Sequence, residues 1–207
     1  MNILGIAAGF HDAAVTLIND QGDILFASSS ERYSGIKNDP KLARDMLAEI
    51  DLSEVHNVAY YENPLQKQLR QLYAGQCVEL NKLTTRQVLR SVGYPAKTGL
   101  FGTRCNVKSY PHHMSHAAAG FQTSPYDDAT VLVVDAIGEW NTATIWDARY
   151  DSEGKAVYKK LWSQSYPHSI GLFYSAFTKH INLKPLDEEY IFMGMAAWGE
   201  NRWFDRI

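Results

Sequence analysis

An apolar run over residues 2–8, closed by Gly9, opens the chain and reads as a buried strand ending in a turn. Residues 14–18 start a second strand, and residues 19–22 carry hairpin-turn chemistry. A third strand is expected over 23–29, with Ile24, Phe26 and Ser28 on one side and Leu25 and Ala27 on the other. Asp39-Pro40 then caps a helix whose apolar face is Leu42, Met46, Leu47 and Ile50. A fourth strand over 55–61 completes the order β-β-β-α-β. Residues 64–92 are polar and helical in pattern, with Leu69, Leu72 and Tyr73 as a stripe and Val88 and Leu89 further on. Residues 93–102, rich in Gly, Pro and Lys, read as a loop that could cover a site. A short strand over 104–109 leads to a helix that starts at Pro111 and stops near Ser124-Pro125.

The pattern then restarts. Val131-Leu132-Val133-Val134 is a continuous apolar run, read as a buried strand. Strands over 140–150 and 156–163 follow, separated by turns at 136–139 and 152–155. A helix over 169–181 places Ile170, Phe173, Tyr174, Phe177 and Ile181 on one face. Two successive β-β-β-α units, each opening with a strand that ends in a small-residue turn beside an acidic group, predict an α/β, duplicated two-lobe fold. That order resembles the actin, sugar-kinase and Hsp70 architecture. Residues 1–127 are the expected first lobe, with a helical insertion at about 64–102, and 128–207 the start of a second lobe that is incomplete.

Composition narrows the picture. The chain has 207 residues, 45% hydrophobic and 21% charged, with a formal net charge of −3, which gives no attraction to nucleic acid or to an anionic membrane. No apolar run approaches the roughly 20 residues of a membrane span, and the first residues lack a basic segment of the signal-peptide kind. Cys77 and Cys105 have no metal-type spacing and read as reduced thiols of a cytoplasmic protein. By position, most of Trp140, Trp146, Trp162, Trp198 and Trp203 are assigned to the core.

The chemistry-bearing stretch is Pro111-His112-His113-Met114-Ser115-His116. In a helix, His112 and His116 share a face and can reach one metal ion, while His113 is turned ~100° away. Asp135, at the tip of the strand, would face a cleft. Two His and one Asp make an open metal site. The alternative is a polar helix start with partly exposed imidazoles and Asp135 capping a turn, and spacing alone leaves both open. Glu139 is read as a cap, a partner for a nearby base, or simply a hairpin-end carboxylate.

Four segments, taken together, resemble the N-terminal part of the O-carbamoyltransferases, the group of nodulation protein U and the aminoglycoside and cephamycin carbamoyltransferases. They are Gly9-Phe10-His11-Asp12-Ala13-Ala14 continuing to Ser30-Glu31-Arg32-Tyr33-Ser34 and Lys37-Asn38-Asp39; His112-His113-Met114-Ser115-His116-Ala117-Ala118; Asp135-Ala136-Ile137-Gly138-Glu139-Trp140; and His168-Ser169-Ile170-Gly171-Leu172-Phe173-Tyr174 with Glu189-Tyr190 and Met193-Gly194-Met195-Ala196. The resemblance implies a nucleotide-fold domain like that of the tRNA threonylcarbamoyl transferase. It would receive carbamoyl adenylate, made from carbamoyl phosphate and ATP by a second domain or chain, and pass the carbamoyl group to a hydroxyl of a small-molecule acceptor. By similarity His112, His116 and Asp135 match ligands of an iron(II) ion, zinc being accepted by the same set, and His11 matches a histidine that could deprotonate the acceptor. A further aspartate ligand of the family falls beyond residue 207. Gly138 and Gly171 would let backbone approach the nucleotide phosphate. Ala136 and Ile191 depart from the family's usual Gly and Lys, as do Phe10-His11 and Ser30-Glu31 from the commoner Gly-His and Glu-Glu. The expectation from another class is a non-catalytic binding module that needs a partner chain to complete its fold.

Overall fold

The computed structural model describes residues 2–76, 96–100 and 103–202. Its first sheet is built around β1 (Asn2–Ala7), which pairs antiparallel with β2 (Ala14–Ile18) and parallel with β4 (Val55–Tyr60). With β3 (Ile24–Ser29), β5 (Ala96–Leu100) and β6 (Thr103–Ser109) the order is β3-β2-β1-β4-β6-β5. The period of two along β1 and β2 puts Leu4, Ile6, Val15 and Leu17 on one face. Helix α2 (Arg44–Ala48) brings Met46 and Leu47 onto that face, and Ile50, Val55, Val58, Cys105 and Val107 complete the cluster. Each large apolar side chain buried this way contributes roughly 1.5–3 kcal/mol relative to exposure.

The second sheet is an antiparallel meander of β7 (Asp128–Gly138), β8 (Asn141–Tyr150) and β9 (Ala156–Ser165). Helix α4 (His112–Gln122) packs against it, with Ala117 beside Val133 and Trp146. So the helix that the expected division at 127 assigns to the first lobe lies on the second sheet. Helix α5 (Ile170–His180) packs on β7 and is followed by α6 (Glu189–Met195). The β-β-β-α order therefore occurs twice, in an α/β fold with two sheets.

Several expectations change. A short helix α1 (Glu31–Ser34) follows β3, closed by Gly35 at φ 66, the left-handed cap that glycine adopts without strain. The helix expected from Asp39 begins only at Arg44, because Asp39 is engaged in a loop: its carboxylate accepts the Lys41 N–H and its carbonyl the Ala13 N–H. Part of the loop expected at 93–102 is β5, held by its antiparallel pairing with β6, a tertiary contact that overrides weak local β preference. Helix α3 (Pro64–Tyr73) buries Arg70 and exposes Leu69, Leu72 and Tyr73, the reverse of the expected stripe. The run at 131–134 is covered on one face alone: Val133 is buried, while Leu132 and Val134 are exposed. On α5 it is Ser175 and Thr178 that are buried, and Ile170, Phe173, Tyr174 and Phe177 that face outward. Trp146 is core, but Trp162 and Trp198 are exposed. Val88, Leu89, Cys77 and Trp203 lie outside the described residues.

Candidate metal centre

Pro111 sits just before α4 as its N-cap, with extended backbone (φ −59, ψ 139), and His112 is the first helical residue. The Ser115 hydroxyl donates to the Tyr61 carbonyl at 3.0 Å and ties the first turn to the end of β4. The helical period turns His112 and His116 to one side and His113 into the core, where Nδ1 lies 3.0 Å from Thr144 Oγ1. Trp146 Nε1 donates to the same hydroxyl at 2.7 Å. Burial holds the His113 imidazole at about 4, against opposition from Asp135, so it is a neutral core histidine. Asp135 occupies the part of β7 where regular pairing with β8 breaks, between Val134 and Gly138, and this frees its side chain to leave the sheet. The Ala136 N–H donates to Asp135 Oδ1 at 2.6 Å.

His112, His116 and Asp135 each offer one donor atom, and the three lie within 4.8 Å of one another. His112 Nε2 stands 3.0 Å from Asp135 Oδ2 and 3.0 Å from His116 Nε2, and His116 Nε2 is 3.9 Å from the carboxylate oxygen. Donors bound to one ion at about 2.0–2.2 Å lie ~3 Å apart when adjacent, so the set fits a single divalent ion with little rearrangement. Two imidazoles and a carboxylate are the donors that iron(II) or zinc accepts. The protonation states agree. Burial alone would raise the Asp135 carboxyl, but the hydrogen bond and charge of His112, the Ala136 N–H and His116 together hold it at about 2. Burial, then the neighbouring His112, lowers His116, with Asp135 opposing. A carboxylate kept ionised and an imidazole kept neutral are ready to ligate. The His116 side chain is 55% exposed against 15% for His112, so the set is open on the His116 side.

Around these three lies a shell that sequence reasoning did not assemble. Glu139, at φ 58, is buried, and its Oε1 accepts the backbone N–H groups of Asn63 and, at 3.3 Å, His112. Burial raises its carboxyl, and those two N–H groups oppose the rise. Arg70 Nε donates to the Glu139 carbonyl at 3.1 Å, which explains why an arginine is buried on α3. The Tyr61 ring packs 5.3 Å from that of His112, and burial pushes its phenol up. The one available signal was an acidic residue placed shortly after Asp135; nothing local marks Asn63 or Arg70 as its partners.

Gly138 and Gly171 both admit close approach, and in this structure the approaching groups are protein. A Cβ on Gly138 would fall 2.5 Å from His112 Cδ2 and 2.7 Å from His113 Cδ2. On Gly171 it would fall 2.5 Å from Ala136 Cα. The left-handed residue of this turn is Glu139, not Ala136, so the alanine methyl imposes no positive-φ strain. His11 stands apart. It is exposed, its Nδ1 pairs with Asp12 at 2.9 Å, and it lines a cleft with Asn38, Asp187, Glu189 and Tyr190. Among the described residues no hydrogen bond, ion pair or ring contact joins it to the triad. Lys37 lies over the Tyr190 ring at 4.3 Å, beside that cleft.

Comparison with known proteins adds a family. Residues 2–207 match the family described as Carbamoyltransferase N-terminus. The uncharacterized protein sll1178 of Synechocystis sp. is 34% identical over all of this chain and 36% of its own length. Nodulation protein NolNO of Sinorhizobium fredii is 29% identical over 92% of this chain and 28% of its own length. The chain thus spans about a third of the curated relatives it matches. Among solved structures, a putative N-acetylmannosamine kinase, Lmo2764 of Listeria monocytogenes, aligns with 96% of this chain and 72% of its own at 14% identity and a TM-score of 0.40. YeaZ from Pseudomonas aeruginosa aligns with 96% of this chain and 93% of its own at 11% identity and a TM-score of 0.36.

Proposed function

The chain belongs to the carbamoyltransferase N-terminus family, and on that premise we propose that it carries the metal and acceptor half of an O-carbamoyltransferase. The observation that carries the proposal is the convergence of His112, His116 and Asp135 donor atoms within 4.8 Å, from one face of α4 and the irregular stretch of β7 after Val134. These residues would hold iron(II) or zinc, which when bound polarises a carbonyl and stabilises negative charge on its oxygen. The donor substrate in this reading is carbamoyl adenylate, made from carbamoyl phosphate and ATP by a second domain or chain. The acceptor hydroxyl oxygen bonds to the carbamoyl carbon, the bond from that carbon to the phosphate oxygen breaks, and AMP leaves with the electron pair. His11 takes the hydroxyl proton. Its Nδ1 is engaged by Asp12, which leaves Nε2 to accept a proton and fixes the ring, the usual division between a base and the group that orients it.

The test is metal content by elemental analysis, with carbamoyl transfer measured from carbamoyl phosphate and ATP to a panel of small hydroxyl compounds in the full chain. Wild type is expected to hold near-stoichiometric iron or zinc, and H112A, H116A and D135A to lose both metal and transfer. H11N should keep its metal and lose about 10²–10⁴-fold in transfer. Metal-free wild type, even after anaerobic loading with iron(II), would overturn the assignment.

A second reading, a non-catalytic binding module that needs a partner chain to complete its fold, is favoured by the outward apolar side chains of α5 (Ile170, Phe173, Phe177) and of β7 (Leu132, Val134). Metal binding without transfer, in the full chain with every co-substrate present, would select it.

A further inference from the structure

The triad explains three side chains and leaves a buried ionisable group beside them, Glu139, without a role. Glu139 is 3% exposed and follows Gly138, the last residue of β7. Three donors from two helices meet on it. Its Oε1 accepts the N–H of Asn63, the N-cap of α3, and the N–H of His112, the first residue of α4. Its carbonyl accepts Arg70 Nε from the body of α3. The first N–H groups of a helix have no acceptor within the helix, so an outside oxygen at that point fixes where the helix begins. The positive φ of Glu139, uncommon outside glycine, is what turns carbonyl and carboxylate toward these partners.

A second observation bears on the same histidine. The missing Cβ of Gly138 leaves room for the His112 ring, whose Cδ2 would lie 2.5 Å from a methyl there. His112 is therefore bounded twice by consecutive residues: Gly138 sets the ring against the strand end, and Glu139 holds the backbone. Among the described residues the ring's Nδ1 is buried without a partner, while Nε2 points to Asp135 and His116. What aims Nε2 is thus the placement of the residue rather than a hydrogen bond on the far side of the ring.

We infer that Glu139 is a positioning residue of the metal centre, holding His112 through its backbone N–H so that Nε2 meets Asp135 and His116. The inference rests on the metal reading proposed above. Groups that orient a ligand typically change metal affinity about 10–100-fold when removed.

The test is titration of the full, metal-stripped chain with cobalt(II), read by the visible absorption of the bound ion, which reports coordination directly and needs no turnover. E139A is expected to bind cobalt at least about 10-fold more weakly than wild type, with altered absorption bands. E139Q, which keeps an acceptor oxygen, should bind within about threefold of wild type. L17A, which opens the core of the first sheet on β2, a strand that carries no residue of the site, should leave affinity and spectrum unchanged. Should E139A not fold, E139D, which withdraws the acceptor by one methylene, takes its place with the same expected loss. Wild-type affinity in E139A or E139D, or an E139Q as weak as E139A, would overturn the positioning role. Failure of the wild type itself to take up cobalt would instead overturn the metal reading on which it rests.

Discussion

Two glycines give opposite predictions on substitution, and the difference lies in what a methyl would meet. At Gly171 an added Cβ falls 2.5 Å from Ala136 Cα, 2.6 Å from Ala136 N and 2.8 Å from the Asp135 carbonyl. All three are backbone, so no flexible side chain can give way; α5 must move off β7 at the residue that bears the carboxylate. G171A is expected to cost about 1–3 kcal/mol in a urea melt and to weaken metal uptake. At Gly120, inside α4, none of the described residues lies within 4 Å and φ is not positive. G120A should therefore stabilise by about 0.5–1 kcal/mol through helix propensity and a less disordered unfolded chain. A G171A as stable as G120A would mean that α5 is not seated on β7 as described. The pattern of residues could not tell these glycines apart. Sequence marks where a side chain is missing, and only the fold shows whether backbone, imidazole or open water fills the gap.

At the scale of elements, the turn that bears His11 is held from outside. The Gly9 N–H donates to the Pro40 carbonyl at 2.9 Å and the Ala13 N–H to the Asp39 carbonyl at 2.8 Å. The Asp39 carboxylate organises that segment by accepting the Lys41 N–H at 2.9 Å. Hydrogen bonds from Lys41 and then Ser34 hold its carboxyl below the ordinary value, with burial opposing. A carboxyl that is lower in the folded state stabilises fully above its unfolded value of ~3.9 and loses that contribution as pH falls through the folded value. The stability difference between wild type and D39N should therefore be flat from pH 7 to 5 and shrink toward pH 3, measured by urea melts at each pH. A difference constant down to pH 3 would show that Asp39 is not the anchor. This loop also shows where periodicity reads well and where it fails. Met46, Leu47 and Ile50 were legible as a buried face because helical spacing records burial directly. The start of their helix was not, because Asp39 satisfies a loop with the same side-chain chemistry that caps a helix. The outward apolar face of α5 failed for a related reason: spacing reports that a face is apolar, not what covers it.

At the scale of the whole chain, the two core clusters are separate. One lies between the first sheet and α2, the other between α4 and the second sheet. The three donor residues belong to α4 and the end of β7, so an ion held by them would join a helix to a strand within the second unit. The candidate site was legible because i,i+4 histidines and a carboxylate closing an apolar run are local signals, although the strand runs on past Asp135 to Gly138; Glu139, Asn63 and Arg70 were not, since their meeting depends on how α3 lies against the β7–β8 turn. On the proposed metal reading, ligand binding to the folded state alone raises stability by RT ln(1 + [L]/Kd), about 2.7 kcal/mol at a free ion concentration 100 times Kd. Iron(II) or zinc added to the chelator-treated chain should then raise the unfolding temperature in wild type and leave H112A and D135A unmoved. The gain should also be local. Amide hydrogen exchange should slow in α4 and in β7 around Asp135, while β1, β2 and β4, which share no ligand, keep their metal-free rates. An equal slowing in both sheets would mean that the ion couples the units, with the Glu139 contacts to Asn63 and Arg70 as the route. Slowing in neither would mean that the three side chains converge for packing and not for an ion.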